Sequence, residues 1–384
     1  MDRRRFIKLS GASLMLWPTA PVWSQMPSPN QPNTGKKLIW VLLRGALDSL
    51  HTIVPSTDSS YRQHRPKIAN DLLTSALPLS ADFALHPALQ NLYSWYQAKQ
   101  FLPIVAVGSG YDARSHFDGQ DFLEAGLGHI DHDSGWLARA VNSHQSQGLA
   151  VSQTTPIAFR SSEQATTWYP SRFRQTKQDT YAALLDLYQE SPSLLAQLEE
   201  GLATQQLLRD SGTASSGKAN FKELTEACGT LMSAENGPDC AMLELGGWDT
   251  HNNQANRLNR QLTELDQGLA ALKASLGSQW QQTVVMVSTE FGRTVRENGT
   301  AGTDHGTGSC MLLAGGAING GRVLGTWPGL KAEQLYQGRD LKPTSMTFRW
   351  WATLLAQHWG LSEKQLAAVL PGSQKYAIEL VRGG

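Results

Sequence analysis

Leu38-Ile39-Trp40-Val41-Leu42-Leu43, closed by Arg44-Gly45, is the stretch that decides the fold. The run is apolar throughout, with no polar residue at alternate positions. A strand of this kind is buried on both faces, which points to a parallel sheet covered by helices rather than to a sheet with one wet side. Pro103-Ile104-Val105-Ala106-Val107, ending in Gly108-Ser109-Gly110, reads the same way. So do Ala241 to Leu245, Thr283 to Val287 and Met311 to Ala314. Between these runs, Pro87 to Gln97, Tyr181 to Gly201, Arg257 to Leu276 and Met346 to His358 carry apolar residues at three- and four-residue spacing, the period of an amphipathic helix. Pro87 suits a first helical turn, where a missing N–H costs nothing. Strands alternating with helices predict a doubly wound, mostly parallel α/β sheet with helices on both faces.

Polar clusters follow the strands. Asp48 lies just past the first, where an acid is either a metal ligand or a helix cap. Arg114-Ser115-His116-Phe117-Asp118 follows the second, with a helix expected from about Asp118 through Glu124. Ser115 at a helix N-terminus beside Arg114 is placed either to attack an anionic group or only to cap the helix. Asp112 and His116 are further candidates, as ligands or as hydrogen-bond partners of ligands. Gly246-Gly247-Trp248-Asp249-Thr250-His251 follows the strand ending at Leu245, and Asp-x-His in an irregular loop can aim both side chains at one ion. Glu290 closes the run from Val284, where a buried carboxylate needs a cation or a hydrogen-bond partner; Arg293 is the nearest candidate. Asp304-His305-Gly306 precedes the last strand. Carboxylates and imidazoles gathered at strand ends predict a metal-assisted site along one edge of the sheet.

The ends and the composition set bounds. Met1-Asp2-Arg3-Arg4-Arg5-Phe6-Ile7-Lys8, followed by a weakly apolar stretch to Ala20, reads as a twin-arginine (Tat) export signal over residues 1–24, with cleavage after Ser24. The Tat translocase is the implied partner during export, and the expected destination is periplasmic. Residues 25–36, rich in Pro, Asn, Gln and Ser, read as a linker. Residues 37–384 then form one α/β domain, with a helical, strand-free insertion at about 170–235 and a flexible turn from Ser211 to Gly217. Lys plus Arg equals Asp plus Glu at 33 each, which argues against nucleic acid or an anionic membrane as partner. No stretch is long and apolar enough for a stable membrane span. Cys228, Cys240 and Cys310 match no zinc or redox spacing; Cys228 and Cys240 either pair in an oxidising compartment or remain buried thiols. No Gly-x-Ser-x-Gly elbow and no Gly-x-Gly-x-x-Gly after the first strand occur, so a simple serine hydrolase and a dinucleotide binder rank low.

Taken together, Leu43-Arg44-Gly45 with Asp48 and Pro55, Arg114-Ser115-His116-Phe117-Asp118, Gly135-Trp136-Leu137-Ala138-Arg139, Gly247-Trp248-Asp249-Thr250-His251, Glu290-Phe291-Gly292-Arg293-Thr294 and Asp304-His305-Gly306 resemble the domain-of-unknown-function family numbered 1501. The match spans nearly the whole chain beyond residue 36. That family is thought to belong to the alkaline phosphatase-like superfamily, which includes sulfatases and cofactor-independent phosphoglycerate mutases. The resemblance implies an alkaline phosphatase-like fold with a divalent-metal site at the carboxyl ends of the strands. It implies Asp48, Asp249, His251, Glu290, Asp304 and His305 as metal ligands, Ser115 as the nucleophile position, and Arg114 and His116 beside it. The metal would be zinc, manganese, calcium or magnesium. Phe291 stands where a second histidine would be, the Asp249–His251 spacing is short, and Ala46 replaces a glycine; one metal therefore fits better than two. The implied activity is hydrolysis of phosphate or sulfate esters, with Ser115 or a metal-bound water attacking a small anionic ester. The alternative is a non-catalytic periplasmic scaffold that binds a glycan or a protein through a degenerate metal site.

Overall fold

The computed structural model describes residues 35–170, 178–212 and 219–383. The expected export signal, and the linker up to residue 34, lie outside these. The chain runs through β1 (Lys37–Leu43), α1 (Ser49–Thr52), β2 (Ile53–Pro55), α2 (Ser59–His64), α3 (Asn70–Ser75), β3 (Leu77–Pro78) and β4 (Phe83–Leu85). Next come α4 (Gln90–Gln97), β5 (Phe101–Gly108), α5 (His116–Ala125), α6 (Trp136–His144), β6 (Gly148–Val151) and β7 (Ala165–Trp168). Helices α7 (Gln178–Tyr188), α8 (Pro192–Asp210) and α9 (Phe221–Ser233) lead to β8 (Cys240–Leu245), α10 (Gln254–Leu276), β9 (Thr283–Ser288) and β10 (Ser309–Ala314). The chain closes with β11 (Ser345–Met346), α11 (Thr347–His358) and α12 (Glu363–Val369).

The main sheet has the order β11-β5-β10-β9-β1-β8-β6-β7, and β2, β4 and β3 form a small second sheet. β1 sits in the middle, parallel to both β8 and β9. Its residues divide cleanly between two cores. Ile39, Val41 and Leu43 point to one, with Leu258, Leu262, Leu265 and Leu269 of α10. Leu38, Trp40 and Leu42 point to the other, with Trp136 of α6 and Trp351 of α11. A strand whose alternate side chains both meet helices has no room for a polar face, which is why the run is apolar throughout. Trp40, Trp136 and Trp351 form a three-ring cluster with centroids 4.4–5.5 Å apart, and the buried Trp40 indole donates to Ser288 Oγ at 2.9 Å. The expected doubly wound, mostly parallel sheet is present.

Some expectations need correction. β10 is antiparallel to both neighbours, β9 and β5, where its apolar run reads as one more parallel strand. Burial on both faces sets hydrophobicity and says nothing of direction; the β9–β10 connection carries no helix to bring the chain back to the other end. This reversal places the loop before β10 at the carboxyl edge of the parallel strands. Pro87 lies in a turn ahead of α4 rather than in its first turn. The Tyr181–Gly201 pattern divides into α7 and α8, with Pro192 opening α8. All three cysteines are buried and free, so Cys228 and Cys240 do not pair. Among the described residues, no helix is long and apolar enough to cross a membrane.

Candidate metal centre

Four loops meet at the carboxyl edge of β1, β5, β8 and β9. Gly45 shows how closely they approach. It holds a φ of +124°, and a β-carbon there would lie 2.6 Å from the Asp249 backbone nitrogen, so only glycine fits between the β1 and β8 loops. The loop between β9 and β10 folds on itself in the same manner: a β-carbon on Gly292 would lie 1.7 Å from the Gly308 carbonyl oxygen.

Asp249, His116, His251 and His305 face one another across this junction. His305 Nε2 is 3.1 Å from Asp249 Oδ1, 3.0 Å from His116 Nε2 and 3.1 Å from His251 Nε2. His251 Nε2 is 3.0 Å from the same Asp249 oxygen, and His116 Nε2 is 3.6 Å from Asp249 Oδ2. One ligating atom each from His116, Asp249 and His305 falls within 4.8 Å of the others. Each imidazole is anchored from behind through Nδ1. That of His116 meets Glu290 Oε1 at 2.6 Å, that of His251 meets Asp304 Oδ1 at 3.0 Å, and that of His305 meets the Arg114 carbonyl at 3.1 Å. A carbonyl or a carboxylate only accepts, so each Nδ1 carries the proton. A neutral ring then turns its bare Nε2 lone pair inward. Several lone pairs at about 3 Å repel unless a cation or a proton lies between them, and histidine held through Nδ1 by an oxygen is the usual way a protein orients a metal ligand.

The electrostatics agree. Burial opposes a charged His116, but hydrogen bonds and charge from Asp249 and Glu290 outweigh it and raise the ring to about 9. A proton on His116 thus fills the inward gap in the metal-free protein. Burial would raise the Asp249 carboxyl, yet His116, His305 and Arg293 together hold it well below the ordinary range. Asp304 is lowered too: its partial burial is outweighed by Asn298 and His251.

The remaining expected residues have other neighbours. Asp48 is buried. Its Oδ1 accepts from Arg65 Nη1 at 2.9 Å and from the His51 amide at 3.0 Å, and its Oδ2 accepts from Gln254 Nε2 at 2.7 Å. It caps α1 and pairs with Arg65; burial raises its carboxyl, and Arg65 brings it below the usual value. Glu290 does not pair with Arg293. It accepts from the Gly45 amide at 2.7 Å and from Thr289 Oγ1 at 2.8 Å, besides meeting His116, while Arg293 donates to Asp249 at 2.5 Å and to the Thr303 carbonyl. Ser115 is the N-cap of α5, which starts at His116 rather than Asp118, and its Oγ accepts from the Asp118 amide at 3.4 Å. The Arg114 side chain pairs with buried Asp340 at 2.9 Å. Phe291 stacks on His116 at 4.9 Å and lies beside His305 at 5.4 Å, walling the cluster with an aromatic ring.

Arg65, Gln254 and Asp340 stand out only in the folded chain. Arg65 is 17 residues from Asp48, Gln254 is 206, and Asp340 is 226 from Arg114; no local motif marks any of them. Gln254 joins the two halves of the site. Its Oε1 accepts from Thr250 and Thr303, and Thr303 accepts in turn from Arg293.

A family model described as "Protein of unknown function (DUF1501)" matches residues 108–370. No curated protein matches by sequence. Among solved structures, the phosphoethanolamine transferase EptA of Neisseria meningitidis is 10% identical, with 97% of this chain and 64% of that one aligned at a TM-score of 0.44. Phosphonate monoester hydrolase SpPMH from Silicibacter pomeroyi is 10% identical over 90% of this chain and 78% of that one, at 0.39. The C-terminal periplasmic domain of EptC from Escherichia coli, in complex with zinc, is 9% identical over 77% of each chain, also at 0.39. Likeness of this degree is remote.

Proposed function

The chain belongs to the DUF1501 family, and from that premise we propose that it is an exported, metal-dependent hydrolase of phosphate or sulfate esters. One observation carries this reading: the Nε2 atoms of His116, His251 and His305 converge beside the Asp249 carboxylate, each ring fixed through Nδ1. The donor set fits a divalent cation. His116, Asp249 and His305 would hold it with His251 adjoining, and three imidazoles with one carboxylate favour zinc over magnesium or calcium. A metal there supplies polarisation of the ester oxygen and offsets developing negative charge.

The chain's own residues do the rest. Ser115 directly precedes His116, and its hydroxyl accepts one hydrogen bond and donates none among the described residues. It is half-buried; in the proposed step its Oγ bonds to phosphorus or sulfur as the bond to the ester's alcohol oxygen breaks, the serine proton leaves with the alcohol, and water later hydrolyses the Oγ–anion bond. Arg114 holds His305 through its carbonyl and Asp340 through its side chain. Glu290 holds His116, and Asp304 holds His251. Asp48 supports the site at one remove, through Gln254 and Thr303. In the rival scaffold reading, these contacts only tie loops together.

Elemental analysis of the full-length protein, loaded with zinc and desalted, decides between the two. The expected result is about one zinc per chain, lost in an Asp249→Ala/His305→Ala variant that keeps its circular dichroism spectrum. No retained metal after loading with zinc, manganese, calcium and magnesium in turn would sink the hydrolase reading.

A further inference from the structure

We infer that Arg44 and Phe117 form an oxyanion subsite at the mouth of the metal centre, built to receive the sulfate or phosphate group of an ester. The inference rests on the metal-centre reading and assigns the group that holds the anion. Its basis is the pairing of the arginines at this edge. Arg65 is paired with Asp48, Arg293 with Asp249, and Arg114 and Arg339 with Asp340. Arg44 has no carboxylate partner among the described residues, and its buried Nε lacks any hydrogen-bond partner. Its guanidinium carbon lies 4.9 Å from the Phe117 ring centroid.

Position argues in the same direction. Arg44 precedes Gly45, whose amide bonds Glu290, and its carbonyl accepts from the Trp248 amide at 3.4 Å, one residue from Asp249. Phe117 follows His116 and is 71% exposed. Here it supports a flat cation from one side. Stacking on an aromatic face fixes the plane of a guanidinium while leaving its N–H fork free. A fork held in this way suits two oxygens of one tetrahedral anion. Unlike Arg65, Arg293, Arg114 and Arg339, Arg44 holds no carboxylate, so an incoming oxyanion can reach its N–H fork without displacing one.

The test is calorimetric titration of full-length protein with inorganic sulfate and, separately, inorganic phosphate, in zinc-loaded and metal-free forms. Arg44→Gln is expected to weaken oxyanion binding about 10- to 100-fold in both forms, with zinc content equal to wild type. Arg44→Lys is expected to recover only part of the loss, because an ammonium has no planar fork, and Phe117→Ala is expected to weaken binding several-fold. The anion bound more tightly names the ester class. Unchanged affinity in a folded Arg44→Gln protein overturns the subsite. Failure of the metal-centre reading looks different: wild type binds no zinc, while Arg44-dependent anion binding in the metal-free protein persists.

Discussion

Asp48 and Asp249 occupy matching places in the chain, each in the loop after a central parallel strand, and both have the sequence context of a metal ligand. The fold gives them opposite surroundings. Asp48 is buried, with both oxygens accepting from Arg65, Gln254 and a backbone amide. Asp249 is 43% exposed at its side chain; it meets one arginine and the inward Nε2 atoms of His251 and His305, all on its Oδ1. A carboxylate already saturated by donors stabilises a loop. One that faces several imidazole nitrogens from a half-exposed loop stays open to a cation.

Three measurements break or sharpen that comparison. The largest expected effect is on stability. Asp48→Ala leaves the Arg65 guanidinium buried without its partner, which costs about 3–5 kcal/mol, read as a lower urea midpoint. The folded fraction should keep its zinc; loss of zinc with the fold intact would make Asp48 part of the centre and erase the contrast.

The next effect is on pH dependence. The His116 ring is raised from 6.5 to about 9 in the folded, metal-free protein. Its contribution to stability is therefore complete below about pH 6.5 and is lost as pH rises through 9, worth about 1–2 kcal/mol after solvent screening. Metal needs the neutral ring, so zinc affinity runs the other way and tightens as pH climbs toward 9. Urea unfolding of the metal-free protein at pH 6 and pH 10, beside His116→Gln, reads the first trend. A wild-type slope unchanged in the variant would remove His116 as its source.

The smallest effect separates strain from function in the Asp48 loop. Ala46 holds a φ of +63°, a left-handed conformation that costs a side-chain-bearing residue about 1–2 kcal/mol, partly offset by the extra flexibility glycine brings to the unfolded chain. Ala46→Gly should stabilise the protein by about 0.5 kcal/mol and leave zinc content unchanged. A destabilised variant would mean that the methyl group packs well enough to outweigh the strain.

Much of the sheet was legible because burial leaves a mark on composition. The apolar runs at Leu38, Pro103, Ala241, Thr283 and Met311 all lie in strands of the main sheet. The residues of the candidate centre were legible as types, since Asp249, His251, Glu290, Asp304 and His305 sit next to strand ends. Their roles were not legible. Arg293 faces Asp249 instead of Glu290, three residues away, because the β9–β10 loop folds back through the Gly292–Gly308 contact. Asp48 meets Arg65 instead of an ion because α2 delivers that arginine from a segment with no motif of its own.

The sequence by itself determined the α/β class, the central strands and the edge at which polar residues collect, because hydrophobic periodicity and strand-end chemistry are local properties of the chain. Only the tertiary structure decided the direction of β10, the anchoring of three imidazoles through Nδ1, the saturation of Asp48, and the unpaired state of Arg44. Each of these depends on which donors and acceptors, tens to hundreds of residues apart, come within about 3 Å of one another, and hydrogen-bond geometry at that range is set by packing rather than by spacing along the chain.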